Sequence, residues 1–260
     1  QGGNIDLNGT VQSRQRIRTE TVAAQSANLI PGTGGNVINS SGTQATLGLV
    51  NGGVSFSGSI QGDIALARTT TSGSFSDWNL YAPQTYSGPT LFNGGRVQLL
   101  GTASLASTSS IELNQSTLLI TNNNSTSALD VNLNDRINDS APILMRGAMF
   151  QYRARFGEEG FENIGAVTLS HGNSFFDVAE PGTGVNSSVL TLASLVREAG
   201  SRATVRFMNV DGILGSTARI LISSAPTLTN DLIGGWAVVE RDFASYTPGT
   251  GVGALNATGY

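Results

Sequence analysis

The stretch TYSGPTLFNGGRVQLLGTASLASTSSIELNQSTLLITNN, residues 85–123, decides the fold. Apolar and polar residues alternate in TLFN and RVQLL and again in SIELN and STLLIT, and a glycine or polar break separates the two runs of each pair. Alternation with a period of two is typical of β-strands that bury one face. The stretch therefore predicts two pairs of short strands joined by sharp turns.

The same arrangement continues downstream in ILM-RG-AMFQY and VTL-SHG-NSFFDV, with turn centres near Gly94, Gln115, Gly147 and Gly172. Intervals of roughly 20 to 30 residues are those in which one coil of a β-solenoid closes. A meander of antiparallel hairpins also gives paired strands, but the irregular intervals favour a solenoid, which tolerates insertions at one corner of a coil. We therefore expect residues 90–99, 110–121, 142–153, 165–178 and 203–209 to form parallel, in-register stacks. Only LTLASLVREAG, residues 190–200, has a plausible helical composition, and it fits a strand at least as well.

Composition excludes several function classes. The 260 residues include no Cys, one His and 14 basic residues, all of them Arg, and the formal net charge is -4. Zinc fingers, disulfides and thiol chemistry are thereby excluded, and a nucleic-acid surface is not expected because it needs clustered basic residues. No apolar run is long enough for a transmembrane helix. We expect one domain over residues 1–260.

Residues 85–123 resemble the autotransporter-associated β-strand repeat of large bacterial surface proteins. The matching residues are Thr85, Tyr86, Gly88, Thr90, Gly94, Gly95, Val97 and Leu99, then Leu105, Ile111, Leu113, Leu118 and Leu119. Weaker similarity extends over roughly residues 55–256, with Pro89, Phe92 and Arg68 departing from the usual pattern. The resemblance implies a right-handed parallel β-helix displayed outside the cell, at a bacterial surface or secreted.

The expected function is that of an extracellular structural or surface-display β-solenoid without catalysis, which self-associates end to end into a filament or forms a segment of a longer fibre. An adhesin that binds surface glycans is the first alternative, and a polysaccharide-active enzyme the second. No catalytic, cofactor-binding or metal-binding residue is assigned, and no cofactor is expected.

Three polar features were weighed as sites. His171, in LSHGNS, lacks a recognisable catalytic partner and is interpreted as a solvated turn residue. The segment 130–139 offers Asp130, Asn132, Asn134 and Asp135, but it lacks the glycine and glutamate of a calcium loop and is interpreted as a strand with one wet face. The acidic residues Glu158, Glu159 and Glu162 suit a glycosidase if two of them face each other across a groove, although an exposed loop is the simpler interpretation.

Two further features follow from composition. Asn-x-Ser/Thr sequons occur at Asn8, Asn39, Asn114, Asn123, Asn124, Asn138, Asn186 and Asn256, and are attributed to the abundance of Asn, Ser and Thr. Trp236 suits a carbohydrate platform, but a capping or core aromatic is the favoured interpretation.

The two ends of the chain carry the expectation of self-association. The segment GVGALNATGY is uncharged, which indicates an open C-terminal end, and Ile5, Leu7 and Val11 are expected to share one face of an N-terminal strand that adds to a neighbour. The alternative is that Arg14, Arg16 and Arg18 form a charged cap that keeps the chain monomeric.

Overall fold

The protein is an all-β parallel β-helix. The structure, a computed structural model, describes residues 4–14, 35–50, 54–70, 77–123, 131–179, 187–210 and 212–255. The first strands are β1 (Ile5–Asp6), β2 (Val11–Arg14), β3 (Val37–Ile38), β4 (Ala45–Val50), β5 (Val54–Phe56), β6 (Ile60–Gly62), β7 (Ile64–Thr69) and β8 (Asp77–Leu80). The middle strands are β9 (Thr85–Tyr86), β10 (Thr90–Asn93), β11 (Arg96–Leu99), β12 (Ile111–Asn114), β13 (Thr117–Thr121), β14 (Ile143–Arg146) and β15 (Met149–Arg153). The last strands are β16 (Gly160–His171), β17 (Asn173–Ala179), β18 (Ser188–Arg197), β19 (Thr204–Met208), β20 (Ala218–Ser224), β21 (Ala237–Val239), β22 (Asp242–Thr247) and β23 (Gly251–Ala254).

These strands form three sheets that run along the stack. A four-stranded sheet has the order β1-β3-β6-β9, a nine-stranded sheet the order β2-β4-β7-β10-β12-β14-β16-β18-β20, and a ten-stranded sheet the order β23-β22-β21-β19-β17-β15-β13-β11-β8-β5. Each coil contributes one strand to the nine-stranded sheet, so the described chain makes nine coils. The described residues include no helix that could span a membrane.

The stretch that predicted the fold has the predicted register. Thr90 pairs in parallel with Ile111 and Leu66, and Arg96 pairs in parallel with Thr117 and Asp77. The strands β10 and β11 therefore belong to different sheets and do not form an antiparallel hairpin across Gly94 and Gly95. The prediction of parallel stacks is confirmed for all five predicted segments, and the register is continuous except for one shift between Met145 and Arg146, where β14 pairs with β16.

Turn conformation explains the positions of the breaks. One position recurs in successive coils, directly after each strand of the nine-stranded sheet ends. It is occupied by Gly94, Gln115, Gly147 and Gly172. All four have positive φ, at 77°, 47°, 60° and 72° respectively. Glycine adopts this conformation at little steric cost, whereas a residue with a Cβ does so less readily.

The core is a ladder of inward-facing side chains. In the ten-stranded sheet, successive strands place Trp78, Val97, Leu118, Phe150, Phe176 and Phe207 one above another, all fully buried. The rings of Phe150 and Phe176 lie 6.2 Å apart and those of Phe176 and Phe207 lie 5.8 Å apart, within the range for favourable aromatic pairs. Each coil therefore packs mainly on its two neighbours, as the solenoid prediction requires.

Two local predictions are resolved by the structure. Residues 190–200 begin within β18, so the strand interpretation holds for residues 190–197. Residues 131–135 form no strand, and the interpretation of a strand with one wet face is wrong there. The alternation of Val131 and Leu133 with polar residues belongs to a connection between two coils, in which Asp135 has a positive φ of 52°.

The last coil is covered by a hairpin of opposite strand direction. The strand β22 pairs antiparallel with β21, and β23 pairs antiparallel with β22. The hydroxyl of Tyr246, on β22, donates to the carbonyl of Ile222 at 2.8 Å and accepts from its N–H at 3.1 Å. Because Ile222 lies on β20, the last strand of the nine-stranded sheet, the hairpin satisfies backbone groups of both long sheets. The expectation of an open C-terminal end is therefore wrong for β21 and for Ile222 on β20, while β23 is the edge strand of the ten-stranded sheet.

The N-terminal end differs. No described strand pairs with the outer edge of β1, β2 or β5. Leu7 is buried, whereas 41% of Ile5 and 78% of Val11 are exposed, so these residues do not share one face and that expectation is wrong. Arg14 ends β2, and Arg16 and Arg18 lie outside the described residues, so the charged cap stays a prediction.

Candidate functional site

His171 lies on the outside of the nine-stranded sheet, directly before the turn at Gly172, and its side chain is exposed. Its Nδ1 is 2.7 Å from the Oγ of Ser170, and that Oγ is 2.5 Å from the Oε2 of Glu198 on the next coil. The interpretation of a solvated turn residue holds. The structure also places the hydroxyl of Ser170 and the carboxylate of Glu198 beside it, which no sequence motif predicted.

The order of these three groups is not that of a catalytic triad. A serine nucleophile needs the histidine as its base and a carboxylate behind the histidine. Here the hydroxyl of Ser170 donates to the carboxylate of Glu198, so the same proton is not directed at Nδ1 of His171. The proton of the Ser170 hydroxyl is thus directed at the carboxylate of Glu198 and not at the histidine, and Ser170 itself is buried. The cluster ties two coils together and does not activate a nucleophile.

The three acidic residues of FGEEGFEN are separated by the fold. Glu159 is exposed and Glu158 is half-buried in an ion pair with Arg155, but Glu162 is completely buried. The interpretation of one exposed acidic loop is therefore wrong for Glu162. Its carboxylate points into the solenoid and accepts hydrogen bonds from the backbone N–H of Arg136 at 3.0 Å and of Ile137 at 2.8 Å. Such a carboxylate does not face a partner across a groove, as a glycosidase requires.

Arg136 is the second charged residue that the sequence did not place inside. Its side chain is completely buried where the chain leaves the ten-stranded sheet to begin the next coil, which we call the closing corner. The guanidinium donates to the carbonyl oxygens of Ala103 at 2.7 Å and of Gly101 and Thr121 at 3.0 Å, and to Oδ1 of Asn122 at 3.0 Å. Arg136 therefore satisfies carbonyls at the closing corner of the preceding coil.

Burial shifts the proton affinity of both groups. Desolvation raises the pKa of Glu162 to about 8, and the backbone N–H donors of Arg136 and Ile137 act in the opposite direction. Desolvation lowers the pKa of Arg136 to about 10, and the nearby Glu162 carboxyl opposes that change. Perturbed pKa values mark functional sites when the groups line a cleft. These two groups lie inside the core with protein partners, so their role is structural.

The polar residues of the segment 131–135, which lacks the glycine and glutamate of a calcium loop, bind protein groups. The amide of Asn132 donates to the carbonyl of Glu159 at 3.1 Å, Oδ1 of Asn134 accepts from the N–H of Phe161 at 2.9 Å, and Oδ1 of Asp135 accepts from Asn163 at 2.8 Å. These oxygens spread along the next coil and do not converge on one point. Asp130 lies outside the described residues, and the described part of the chain holds no group of three metal-ligating side chains.

Trp236 is partly buried and packs against the core beside the last coil, with the guanidinium of Arg197 5.7 Å from its ring centre. This position agrees with the interpretation of a capping or core aromatic. Among the sequons, Asn124, Asn186 and Asn256 lie outside the described residues. Asn39 and Asn138 donate through their side-chain amides to backbone carbonyls at 2.7–2.8 Å, which gives these two residues a structural role.

The outer face of the ten-stranded sheet carries an open groove that the sequence did not indicate. The groove has a volume of about 450 Å³, within the range of small-ligand sites. Its lining includes Asp77, Arg96, Gln115, Thr117, Met149 and Gln151. We call it the corner groove, because Gln115 is a turn residue between the two long sheets. Register alone places Asp77, Arg96, Thr117 and Met149 side by side on four adjacent strands.

The polar side chains of the corner groove are partly fixed by one another. Arg96 forms a two-pronged ion pair with Asp77, with Nε to Oδ1 at 2.9 Å and a second bond from Nη2 to Oδ2. The amide of Gln98 donates to Oδ2 of Asp77 at 2.9 Å and to Oδ1 of Asn79 at 2.8 Å. On the far side, the amide nitrogen of Gln151 donates to Asp177 at 2.8 Å.

No family model, curated protein or solved structure matches the chain. The resemblance to autotransporter-associated repeats therefore stays a prediction that rests on the residues quoted for it. The corner groove is an open pocket of described residues with polar lining, whereas the Arg136 and Glu162 network joins one coil to another.

Proposed function

We propose that the chain is an extracellular structural β-solenoid without catalytic activity, which forms the closed terminal segment of a longer surface fibre. The observation that carries the proposal is the stack of nine parallel coils over one core, covered at one end by an antiparallel hairpin. A stack of this kind holds its two ends at a fixed separation, which suits spacing and display.

The hairpin favours a terminal segment over a free filament. A head-to-tail filament needs an open edge at each end of every subunit. Here Tyr246 already satisfies Ile222, and Gly251 approaches the carbonyl oxygen of Ile220 so closely that a Cβ on Gly251 would lie 2.4 Å from it. The end-to-end homopolymer anticipated from the sequence is therefore the less favoured form of this proposal.

The charged groups support a structural role over an enzymatic one. Glu162 and Arg136 form hydrogen bonds with backbone groups inside the core, and Glu198 accepts a hydrogen bond from the Ser170 hydroxyl. Each of these groups is engaged in joining one coil to another.

The association state tests the mechanical part of the proposal. We expect the full chain to sediment as an elongated monomer at high concentration and to appear in electron micrographs as short rods, with nine coils spanning roughly 40 Å. Filaments formed by the unaltered chain would contradict a closed end. Tyr246→Phe serves as a variant that removes the hydroxyl bonds while keeping the ring, and we expect it to associate more readily than the unaltered chain.

Location is tested separately. An antibody raised against the purified chain is expected to label intact cells of the producing organism. Labelling that appears only after the cells are lysed would rule out surface display and leave the fold unaffected.

A further inference from the structure

We propose that the corner groove binds a neutral carbohydrate chain, which lies across the strands on the outer face of the ten-stranded sheet. This inference goes beyond a structural role, because it assigns a ligand class to a place in the fold. It rests on the groove and does not depend on how the solenoid ends.

The polar atoms that remain available suit a ligand rich in hydroxyl groups. The described residues provide no hydrogen-bond partner for Nη1 of Arg96, the hydroxyl of Thr117, the amide of Gln115 or Oε1 of Gln151. The set contains hydrogen-bond donors, an acceptor, and groups that can both donate and accept. A sugar hydroxyl can likewise donate and accept hydrogen bonds. Pocket polar groups that converge without protein partners are the usual means of orienting a ligand.

Charge favours a neutral ligand. The positive charge of Arg96 is matched by Asp77 in a two-pronged pair, so the groove carries no net charge among these lining residues. An anion that approached Arg96 would also approach the carboxylate of Asp77 and be repelled by it. Met149 supplies an apolar wall, which suits the C–H face of a sugar ring.

The spacing of the fold suits an extended chain of sugars. The lining residues come from adjacent strands, which lie about 4.8 Å apart. This spacing is close to the length of one sugar ring, so successive rings of a chain that runs along the stack would meet successive coils. The side chains are held by backbone ladders and by Gln98, which reduces the ordering that binding requires.

Gln115 gives the strongest indication that the groove serves a ligand. Three equivalent turn positions, at Gly94, Gly147 and Gly172, are occupied by glycine with positive φ, whereas Gln115 adopts a φ of 47° with a side chain. A non-glycine residue is disfavoured in this conformation. Gln115 retains a long amide that makes no hydrogen bond to the described residues and lines the groove instead. A purely structural turn would be better served by glycine.

The test separates stability from binding. The full chain is titrated with cellotetraose, chitotetraose, mannotetraose and, as an anionic probe, tetragalacturonate, and binding is followed by calorimetry or ligand-observed NMR. We expect at least one neutral tetrasaccharide to bind, and Gln115→Gly to weaken it about five- to tenfold while raising Tm by a few degrees. Gln151→Ala is expected to weaken binding by a similar factor.

Thr168→Ala is the matched control, because Thr168 is a partly exposed polar residue on the outside of the nine-stranded sheet. It is expected to leave binding unchanged. The proposal is overturned if no neutral tetrasaccharide binds, if Gln115→Gly and Gln151→Ala bind as well as the unaltered chain, or if tetragalacturonate alone binds. A Gln115→Gly variant that loses both stability and binding would also overturn it, because the side chain would then serve the turn.

Discussion

The closing corner is built in two different ways along the solenoid. In the fourth coil, the neutral side chain of Gln84 fills it: Oε1 accepts from the N–H of Ile60 at 2.9 Å, and Nε2 donates to the carbonyls of Gly58 at 3.1 Å and Ala82 at 2.6 Å. Two coils further along, the corner is filled by the ionisable side chain of Arg136 and by that of Glu162, which reaches it from the following coil. Both arrangements are buried and rich in hydrogen bonds, yet only the second contains ionisable groups.

The difference follows from the connection between coils. Gln84 directly precedes β9, whose short strand continues the backbone ladder of the four-stranded sheet. Beyond β9 that sheet ends, and isolated parallel bridges from Pro83 to Ser104 and from Leu105 to Ile137 continue along this corner. The connection from β13 to β14 is long, and Arg136 reaches back from it to the carbonyls of the preceding coil. The side chain of Arg136 thus supplies hydrogen bonds at a corner where the backbone ladder of the four-stranded sheet has ended. The stability of this corner therefore becomes sensitive to substitution and to pH.

The largest expected effect is that of Arg136→Met. The variant leaves carbonyls of Gly101, Ala103 and Thr121 without their donors inside the protein and removes the positive charge near Glu162. We expect the free energy of unfolding to fall by about 3–5 kcal/mol, measured by chemical denaturation. Arg155→Met, which breaks the half-exposed pair with Glu158, is the control and should cost less than about 1 kcal/mol. Equal losses in the free energy of unfolding would show that the buried network stabilises the protein no more than a half-exposed ion pair does.

Glu162→Ala is expected to be next in size. It leaves the N–H groups of Arg136 and Ile137 without an acceptor and opens a cavity, so we expect a loss of about 2–4 kcal/mol. Glu162→Gln keeps an amide oxygen where the carboxylate accepts both bonds, and it should lose less than half as much by the same measurement. If the two variants behave alike, the N–H groups of Arg136 and Ile137 gain no stability from an acceptor oxygen on residue 162.

Gln84→Ala tests the neutral version of the corner. Loss of the amide leaves the N–H of Ile60 and the carbonyls of Gly58 and Ala82 unpaired, and we expect a loss of about 1–3 kcal/mol. Gln44→Ala is the control, since Gln44 is an exposed residue whose amide binds Asp63 at 2.8 Å, and it should change stability by less than about 0.5 kcal/mol. A Gln84 variant as stable as the control would mean that water replaces the amide at this corner.

The smallest expected effect is the pH dependence that Glu162 introduces. Its folded-state pKa of about 8 lies above the ordinary value of 4.5, so the folded protein holds an extra proton between these values. The associated stability is fully present below the ordinary value and is lost as pH rises through about 8. Between about pH 6 and about pH 7 we expect the free energy of unfolding to fall by about 1 kcal/mol. Glu162→Gln should lack this component and Gln84→Ala should retain it; a flat profile in the unaltered chain would contradict the raised pKa.

The sequence predicted the architecture because its signals are local. Alternation in TLFN and RVQLL gives the inward faces, and the breaks at Gly94, Gln115, Gly147 and Gly172 coincide with residues of positive φ. The antiparallel hairpin also had a local signal, the Pro-Gly pair in SYTPGTGVGAL, which marks a turn between two short strands. The absence of charge in the last ten residues favours an open end, whereas this turn favours a hairpin, and the structure has the hairpin.

The inward charges could not be found from alternation alone. In GFENIGAV, hydrophobicity alone favours Phe161 as the inward residue, but the strand has Glu162 inward and Phe161 exposed. The alternation of inward and outward residues changes phase at Gly165, where a Cβ would lie 2.1 Å from the carbonyl oxygen of Ala141. Alignment with the next coil carries the missing information, since Glu162 pairs with Leu190 and Ile164 pairs with Leu192, both inward. The corner groove is likewise invisible in sequence, because it is made by residues of four strands that become neighbours only through register.

The hairpin of β22 and β23 has a consequence for aggregation. A stack of parallel, in-register strands is the arrangement found in many amyloid fibrils, in which each layer is a template for the next. Reversal of strand direction at β22 means that a newly arriving parallel coil finds no matching register on that side. We therefore expect the hairpin to oppose templated growth of this fibril-like core on the side of β22 and β23.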